Sequence, residues 1–324
     1  MEIANGLEQF AAPPGGVVLT IGNFDGVHRG HARLIARAQA VADRRGAPVT
    51  VLTLEPHPLA ILAPERAPAQ LTTLREKLAL LERLGVGRAI VLRSEPALLA
   101  QQAVDFLAAL VAHCRPRALV EGPDFNFGRG RSGSVATLQE HAARWEYELH
   151  VVPAVHCQEL PTHPVISSTS IRQALTDGRI ADANIMLGRP YRIVGTTGHG
   201  EGRGATLGFP TANLEEIPHL LPQQAIYAAA AQFESGELHL AAVNIGPQPT
   251  FGQEAARVEA HVLDFTGMLR GRRLGLYFLT RLREQQRFET PAALSAQIGR
   301  DVAATRGFAA QLETIRRAGL LPLE

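Results

Sequence analysis

Gly22-Asn23-Phe24-Asp25-Gly26-Val27-His28-Arg29-Gly30-His31 follows directly on the apolar run Val17 to Ile21 and leads at once into a segment of helical period. Strand, glycine-rich turn and helix in that order make an anion site. Glycines let the backbone turn tightly and approach a ligand, and the helix start offers unpaired amides at the positive end of its dipole. His28 and His31, three residues apart on the first helical turn, can aim both rings at one bound phosphate. Without the glycines, two such histidines would read more readily as surface residues of a turn.

Outward from this stretch, short apolar runs alternate with helical segments. The runs are Val17 to Ile21, Val49 to Leu54, Ala89 to Leu92, Ala118 to Val120 and Leu149 to Val155; between them lie His31 to Arg45, Thr72 to Leu84, Leu98 to His113 and Val135 to Trp145. That alternation predicts a doubly wound α/β unit with a parallel sheet, whose ligands sit at the carboxyl ends of the strands. After about residue 190 the texture changes to glycine and proline clusters with short alternating stretches such as Leu238 to Val243 and Ala260 to Leu263, which predict a mostly antiparallel β unit. Pro291 to Ala318 returns to helical spacing. Ser167 to Gly178 and Ala181 to Leu187 read as two short helices, placing the expected boundary near Leu187 to Arg189, with domains 1–187 and 188–324. The length of 324 residues agrees with about two domains at roughly 150 residues each.

Composition excludes several function classes. Hydrophobic residues make up 46% and charged residues 19%, and no run approaches the ~18 apolar residues of a membrane span. No basic stretch followed by an apolar core opens the chain, so a cytoplasmic enzyme is expected. Cys114 and Cys157 are too few for a disulfide framework or a thiolate zinc site. A net charge of +1 without a long basic run argues against nucleic acid as a partner. Of the 32 basic residues only Lys77 is lysine, and it follows Glu76, so a Gly-Lys-Ser/Thr P-loop is absent. Phosphates must therefore meet backbone amides, helix N-termini, histidine, arginine or a metal ion. Gly128-Arg129-Gly130-Arg131-Ser132-Gly133 fits GxGxxG, but it lies well after its strand and lacks the acidic partner of a dinucleotide fingerprint.

The decapeptide 22–31 resembles the HxGH class of nucleotidylyltransferases, and as a whole string the adenylyltransferase module of bacterial bifunctional riboflavin kinase/FAD synthetases. Ser167-Ser168-Thr169-Ser170-Ile171-Arg172 matches that family's SSTxxR signature. Its hydroxyls can cap a helix and donate to phosphate, and Arg172 can offer a forked pair of donors. Gly122-Pro123-Asp124-Phe125-Asn126-Phe127-Gly128 resembles the flavin-side loop, in which Asp124, Phe125, Asn126 and Phe127 would meet the isoalloxazine. Glu55-Pro56-His57-Pro58 resembles another family loop and reads by itself as a proline-stiffened turn.

In the second half, Gly195 to Leu214 is dense in glycine and closes on Pro210-Thr211-Ala212-Asn213. Such a loop, with Gly200 and Gly204, can wrap a triphosphate through its amides, and in an extended strand Thr211 and Asn213 face one side. Their neutral oxygens suit Mg2+ that already carries ATP phosphates. This stretch resembles the riboflavin kinase domain, as do Val243 to Gly246, Pro249 to Phe251, Val258 to Phe265, Arg283 to Gln285 and Arg287-Phe288. The resemblance makes Glu259 the catalytic base on the ribityl hydroxyl; as a lone strand glutamate it would read as a surface charge. The sequence departs from the pattern at Thr197, Gly198, Ala205, Ile226 and Met268 to Arg270, none a proposed catalytic position.

The resemblance thus implies an N-terminal Rossmann-like sheet of HxGH type and a C-terminal antiparallel β-barrel with a terminal helix. Riboflavin would be phosphorylated to FMN, and FMN adenylylated to FAD, using ATP with magnesium. His28, His31 and Arg172 would serve the adenylyl transfer together with Gly22, Asn23, Phe24, Gly30, Ser167, Ser168 and Thr169. Neither membrane nor nucleic acid enters as a partner, and self-association is left open. A chain with one active half, or a flavin-binding redox protein, are the readings against which this one is weighed.

Overall fold

The computed structural model describes residues 1–198, 207–247 and 256–323. Gly200, Gly204, Ala205 and Pro249 to Phe251 lie outside the described residues. Contacts divide the chain into two compact units, Met1–Ala69 with Leu74–His156, and Gln70–Thr73 with Cys157–Glu324.

The first unit is built on a six-stranded parallel sheet of β1 (Glu2–Asn5), β2 (Val17–Ile21), β3 (Val49–Glu55), β4 (Arg88–Arg93), β5 (Pro116–Glu121) and β8 (Glu148–Val151), in the order β1-β4-β3-β2-β5-β8. A small hairpin pairs β6 (Asn126–Phe127) with β7 (Gly133–Ser134). The helices are α1 (Arg29–Arg45), α2 (Pro58–Leu62), α3 (Leu74–Arg83), α4 (Pro96–Leu99), α5 (Ala103–Cys114) and α6 (Val135–Ala142). All five residues of β2 are buried, as befits a central strand covered on both faces. From β2 the chain winds through β3 and β4 on one side, then crosses to β5 on the other, so the switch point lies at the carboxyl ends of β2 and β5. The segment 22–31 leaves β2 at that point.

The second unit is a closed antiparallel barrel in the order β10-β13-β12-β11-β14-β9. Its strands are β9 (Tyr191–Thr197), β10 (Ala212–Glu215), β11 (Ala225–Gln232), β12 (Leu238–Pro247), β13 (Ala256–Val262) and β14 (Arg273–Arg283). Helices α7 (Ser168–Thr176), α8 (Ile180–Leu187), α9 (Pro291–Arg306) and α10 (Ala309–Ala318) belong to the same unit. The four alanines 228–231 of β11 are fully buried, because this strand faces the barrel interior on one side and packs against α9 and α10 on the other. Outside the barrel, Ala230, Leu238, Tyr277 and Ile315 form a cluster with Leu312 and Leu320.

The contacts divide the chain earlier than the expected 187/188 boundary, for a physical reason. Asn184 of α8 donates to the Phe278 carbonyl at 2.9 Å and accepts from the Tyr191 amide at 2.7 Å. That carboxamide ties α8 to two barrel strands, and α7 packs on α8. The expected helix over Leu98 to His113 is two helices, α4 and α5, interrupted at 100–102.

The C-terminal segment is held by a buried polar network. Tyr277 donates from its hydroxyl to Gln232 Oε1 at 2.9 Å and accepts from the Leu321 amide at 3.1 Å, while Gln232 donates to the Leu321 carbonyl at 2.9 Å. Tyr277→Phe leaves two buried groups unpaired, so it should destabilise this unit by about 1–3 kcal/mol, read as a lower urea midpoint with an unchanged slope.

Candidate active sites

In the first unit, His28 is the N-cap of α1 and the two histidines cap each other. The His31 amide donates to Nδ1 of His28 and the His28 amide to Nδ1 of His31, both at 3.3 Å. The rings stack with centroids 3.6 Å apart and 14° between planes, and Phe24 lies 5.1 Å from the His31 ring. A neutral imidazole whose Nδ1 accepts carries its proton on Nε2, so the cap selects the tautomer that donates from the far edge of each ring. The approach is tightly turned, with φ of 49° at Phe24, 80° at Gly26 and 38° at Val27. A phenylalanine and a β-branched residue in the left-handed region are outliers of the kind found at functional loops. A Cβ on Gly22 would stand 3.2 Å from the Phe24 ring.

Two charged residues beside this loop drew no role from the sequence. Lys77, 4% exposed, donates to Glu55 Oε2 at 3.1 Å and stands 3.5 Å from Thr53 Oγ1, whose hydroxyl donates to the Asn23 carbonyl at 3.2 Å. The carboxyl edge of β3 is thereby linked to the start of the glycine turn. Glu121, 1% exposed, ends β5 and accepts from the Ile21 amide at 2.8 Å. Burial drives its carboxyl well above the ordinary glutamate range, only partly opposed by that amide. An acid closing the otherwise apolar run of residues 118–120 was the available signal.

The other predicted residues fall into groups. Phe125 stacks on Phe127 at 5.4 Å. Phe127 is buried in the core beside Phe106, while Asp124 and Asn126 are exposed. Ser167 caps α7 reciprocally with Ser170: its hydroxyl accepts from the Ser170 amide at 3.1 Å and its amide donates to Ser170 Oγ at 2.9 Å. Ser168 and Thr169 occupy the first turn that follows, and Arg172 is half-buried on the same helix. His57 of the proline-stiffened turn caps α2, accepting from the Leu59 amide at 3.2 Å.

In the second unit, Thr211, Asn213 and Glu259 line one cavity of about 640 Å3, together with Asn244, Arg257 and Gln285. Asn213 on β10 and Glu259 on β13 are direct cross-strand partners. Glu259 Oε2 lies 3.4 Å from Asn244 Nδ2, and Gln285 Nε2 donates to Asn244 Oδ1 at 2.8 Å, so the carboxylate is oriented by a chain of amides. His261 Nδ1 lies 2.8 Å from the Pro210 carbonyl, which fixes the start of the Thr211 segment. Arg283 forks onto Asp301, with Nε to Oδ1 at 2.9 Å and Nη2 to Oδ2 at 2.7 Å. Two departures from the expected pattern meet each other, since the Thr197 hydroxyl donates to the Leu269 carbonyl and accepts from the Arg272 amide at 3.1 Å.

Among the described residues no group of three His, Cys, Asp or Glu side chains can hold a metal alone. A neutral carboxamide oxygen facing a carboxylate does fit a magnesium ion that brings phosphate and water ligands of its own. No helix among the described residues is long and apolar enough to cross a membrane.

Residues 11–170 match the family model described as FAD synthetase, and residues 187–309 the model described as riboflavin kinase. The chain is 40% identical over 311 residues to the bifunctional riboflavin kinase/FMN adenylyltransferase of Escherichia coli strain K12, covering 95% of this chain and 98% of that protein. The protein of the same name from Pseudomonas fluorescens is 36% identical, with 96% and 98% covered. Among solved structures, a protein of Streptococcus pneumoniae described as a macrolide-efflux protein superposes with a TM-score of 0.83 at 27% identity, covering 94% of this chain and 98% of that one.

Glu121 makes the first unit sensitive to pH. Its folded pKa is raised, so the folded state holds a proton that the unfolded state releases above the ordinary value of 4.5. The contribution of the protonated acid is complete below that value and is lost as pH rises toward the folded pKa, by at most about 1.4 kcal/mol per pH unit. Glu121→Gln keeps the acceptor for Ile21 and removes the titration. Urea unfolding from pH 5 to pH 8 should show the parent losing stability relative to this variant.

Proposed function

The chain belongs to the bifunctional riboflavin kinase/FMN adenylyltransferase family, it phosphorylates riboflavin to FMN and adenylylates FMN to FAD with ATP, and on that premise we propose which residues carry each transfer. Residues 1–187 form the adenylyltransferase domain and residues 188–324 the kinase domain, a functional division that differs from the division by contact. The enzyme works in the cytoplasm, where its buried thiols Cys114 and Cys157 stay reduced.

In the adenylyl transfer, an FMN phosphate oxygen attacks the α-phosphorus of ATP and pyrophosphate leaves. The nucleophile is already an anion, so positioning and charge stabilisation suffice. His28 and His31 donate from Nε2 to ATP phosphate oxygens, with the first amides of α1 and the Gly22 to Gly30 backbone completing the cradle. Ser168, Thr169 and Arg172 supply further donors, and Ser167 holds the helix start that presents them. Phe125 offers the flavin a ring, Phe127 backs it from the core, and Asp124 and Asn126 give the loop its polar contacts.

In the kinase reaction, the ribityl 5′-hydroxyl attacks the γ-phosphorus and ADP leaves. An alcohol is a weak nucleophile, and Glu259 takes its proton. The observation that carries this assignment is the single cavity joining Glu259 to Thr211 and Asn213 across separate strands. Thr211 and Asn213 would hold Mg2+, which when bound shields the negative charge of the ATP phosphates. Gly200 and Gly204 complete the nucleotide loop by sequence.

Incubation with riboflavin, ATP and magnesium, followed by chromatography, should give FMN and then FAD. Glu259→Gln should slow FMN formation by about 10²–10⁴-fold while FAD still forms from supplied FMN. His28→Asn retains a side chain able to cap α1; it should stop FAD at FMN with the kinase rate unchanged. FAD formation unaffected in His28→Asn would remove the histidine from the reaction.

A further inference from the structure

The cavity of the kinase unit already contains a cation of the chain's own. Arg257 stands two residues before Glu259 on β13. Its Nε donates to Asn213 Oδ1 at 2.7 Å and lies 3.1 Å from Glu259 Oε1. Because Asn213 and Glu259 are cross-strand partners, one guanidinium bridges two oxygens presented side by side. Asn213 is 5% exposed, while the Arg257 and Glu259 side chains are 24% and 28% exposed, so the bridge faces the cavity from a buried base.

These are the oxygens to which the previous section assigns the divalent ion and the base, and the present inference rests on that reading. A magnesium ion sits about 2.1 Å from each oxygen, using lone pairs that a hydrogen-bonded guanidinium occupies. The two cations cannot engage Asn213 Oδ1 from the cavity at once. An arginine on a long stem, partly open to solvent, can leave such a pair at a cost of about 1 kcal/mol.

We propose that Arg257 is a resident placeholder for the divalent cation: it holds Asn213 and Glu259 in register in the free enzyme and swings aside when Mg2+ and ATP enter. The placeholder prevents two electronegative oxygens from facing one another without a counter-charge. In doing so it raises the concentration of divalent cation that the kinase requires.

Binding of Mn2+ in the presence of ADP, followed by the electron paramagnetic resonance of free Mn2+, tests this without turnover. Both units bind nucleotide, so two classes of site are expected and one alone should shift. Arg257→Gln should bind Mn2+ with ADP about fivefold more tightly at that class, and the magnesium giving half-maximal riboflavin phosphorylation should fall by a similar factor. Arg257→Lys, a point charge without the planar fork, should move in the same direction by less, and it carries the test if the glutamine variant does not fold. Asn213→Ala should lose the shifting class. Unchanged or weaker Mn2+ binding in the Arg257 variants, with binding lost in Asn213→Ala, overturns the placeholder and leaves the ligand assignment standing. Undiminished binding in Asn213→Ala overturns both.

Discussion

Two hydrogen bonds between a pair of histidines set the geometry of the first unit. Each ring of His28 and His31 accepts the other residue's amide, so helix capping and side-chain orientation are the same event. An ordinary serine cap spends its oxygen on the helix and has little left to offer. An imidazole has a second nitrogen on the far edge, and a cap through Nδ1 turns that nitrogen outward as a donor. The glycine turn, the strained φ values at Phe24 and Val27 and the packing of Phe24 under His31 all serve to bring the chain from β2 into this arrangement.

The two units solve phosphate chemistry differently because their nucleophiles differ. Where the attacking group is already an anion, the chain supplies donors and a helix dipole. Where it is an alcohol, a carboxylate is placed at a barrel strand and steadied through Asn244 and Gln285. Neither site uses a lysine on a P-loop. The sole lysine is instead withdrawn under the first sheet edge and paired with Glu55, acting on the glycine turn through Thr53 rather than on a ligand directly.

Much of this was legible in the sequence where a pattern is local. Val17 to Ile21 is a strand to the residue, and the motif-bearing turn is where the alternation of strand and helix placed it. Strand β1 was not anticipated: four residues with one buried side chain carry no readable period, and β1 exists by pairing with β4 some 86 residues away. The division between units was also hidden, because Asn184 commits α8 to the barrel through partners at Tyr191 and Phe278. Lys77, Glu121 and Arg257 share that limitation, since their partners lie on neighbouring strands or turns. For Glu259 and Asn213, the spacing of each motif gave the residue types, and the β10–β13 register brought them together.

The burial of Lys77 leaves an unusual exterior. With 31 arginines and no second lysine, the chain exposes hardly any side-chain amine. Acylating agents, aldehydes and carbonyl metabolites that erase lysine charge find little on its surface to modify. Guanidinium groups also keep their protons through the alkaline range in which ammonium groups lose theirs. The basic half of the surface charge is therefore close to permanent, and above pH 10 this protein should retain a cationic surface where a lysine-rich one of equal net charge turns anionic.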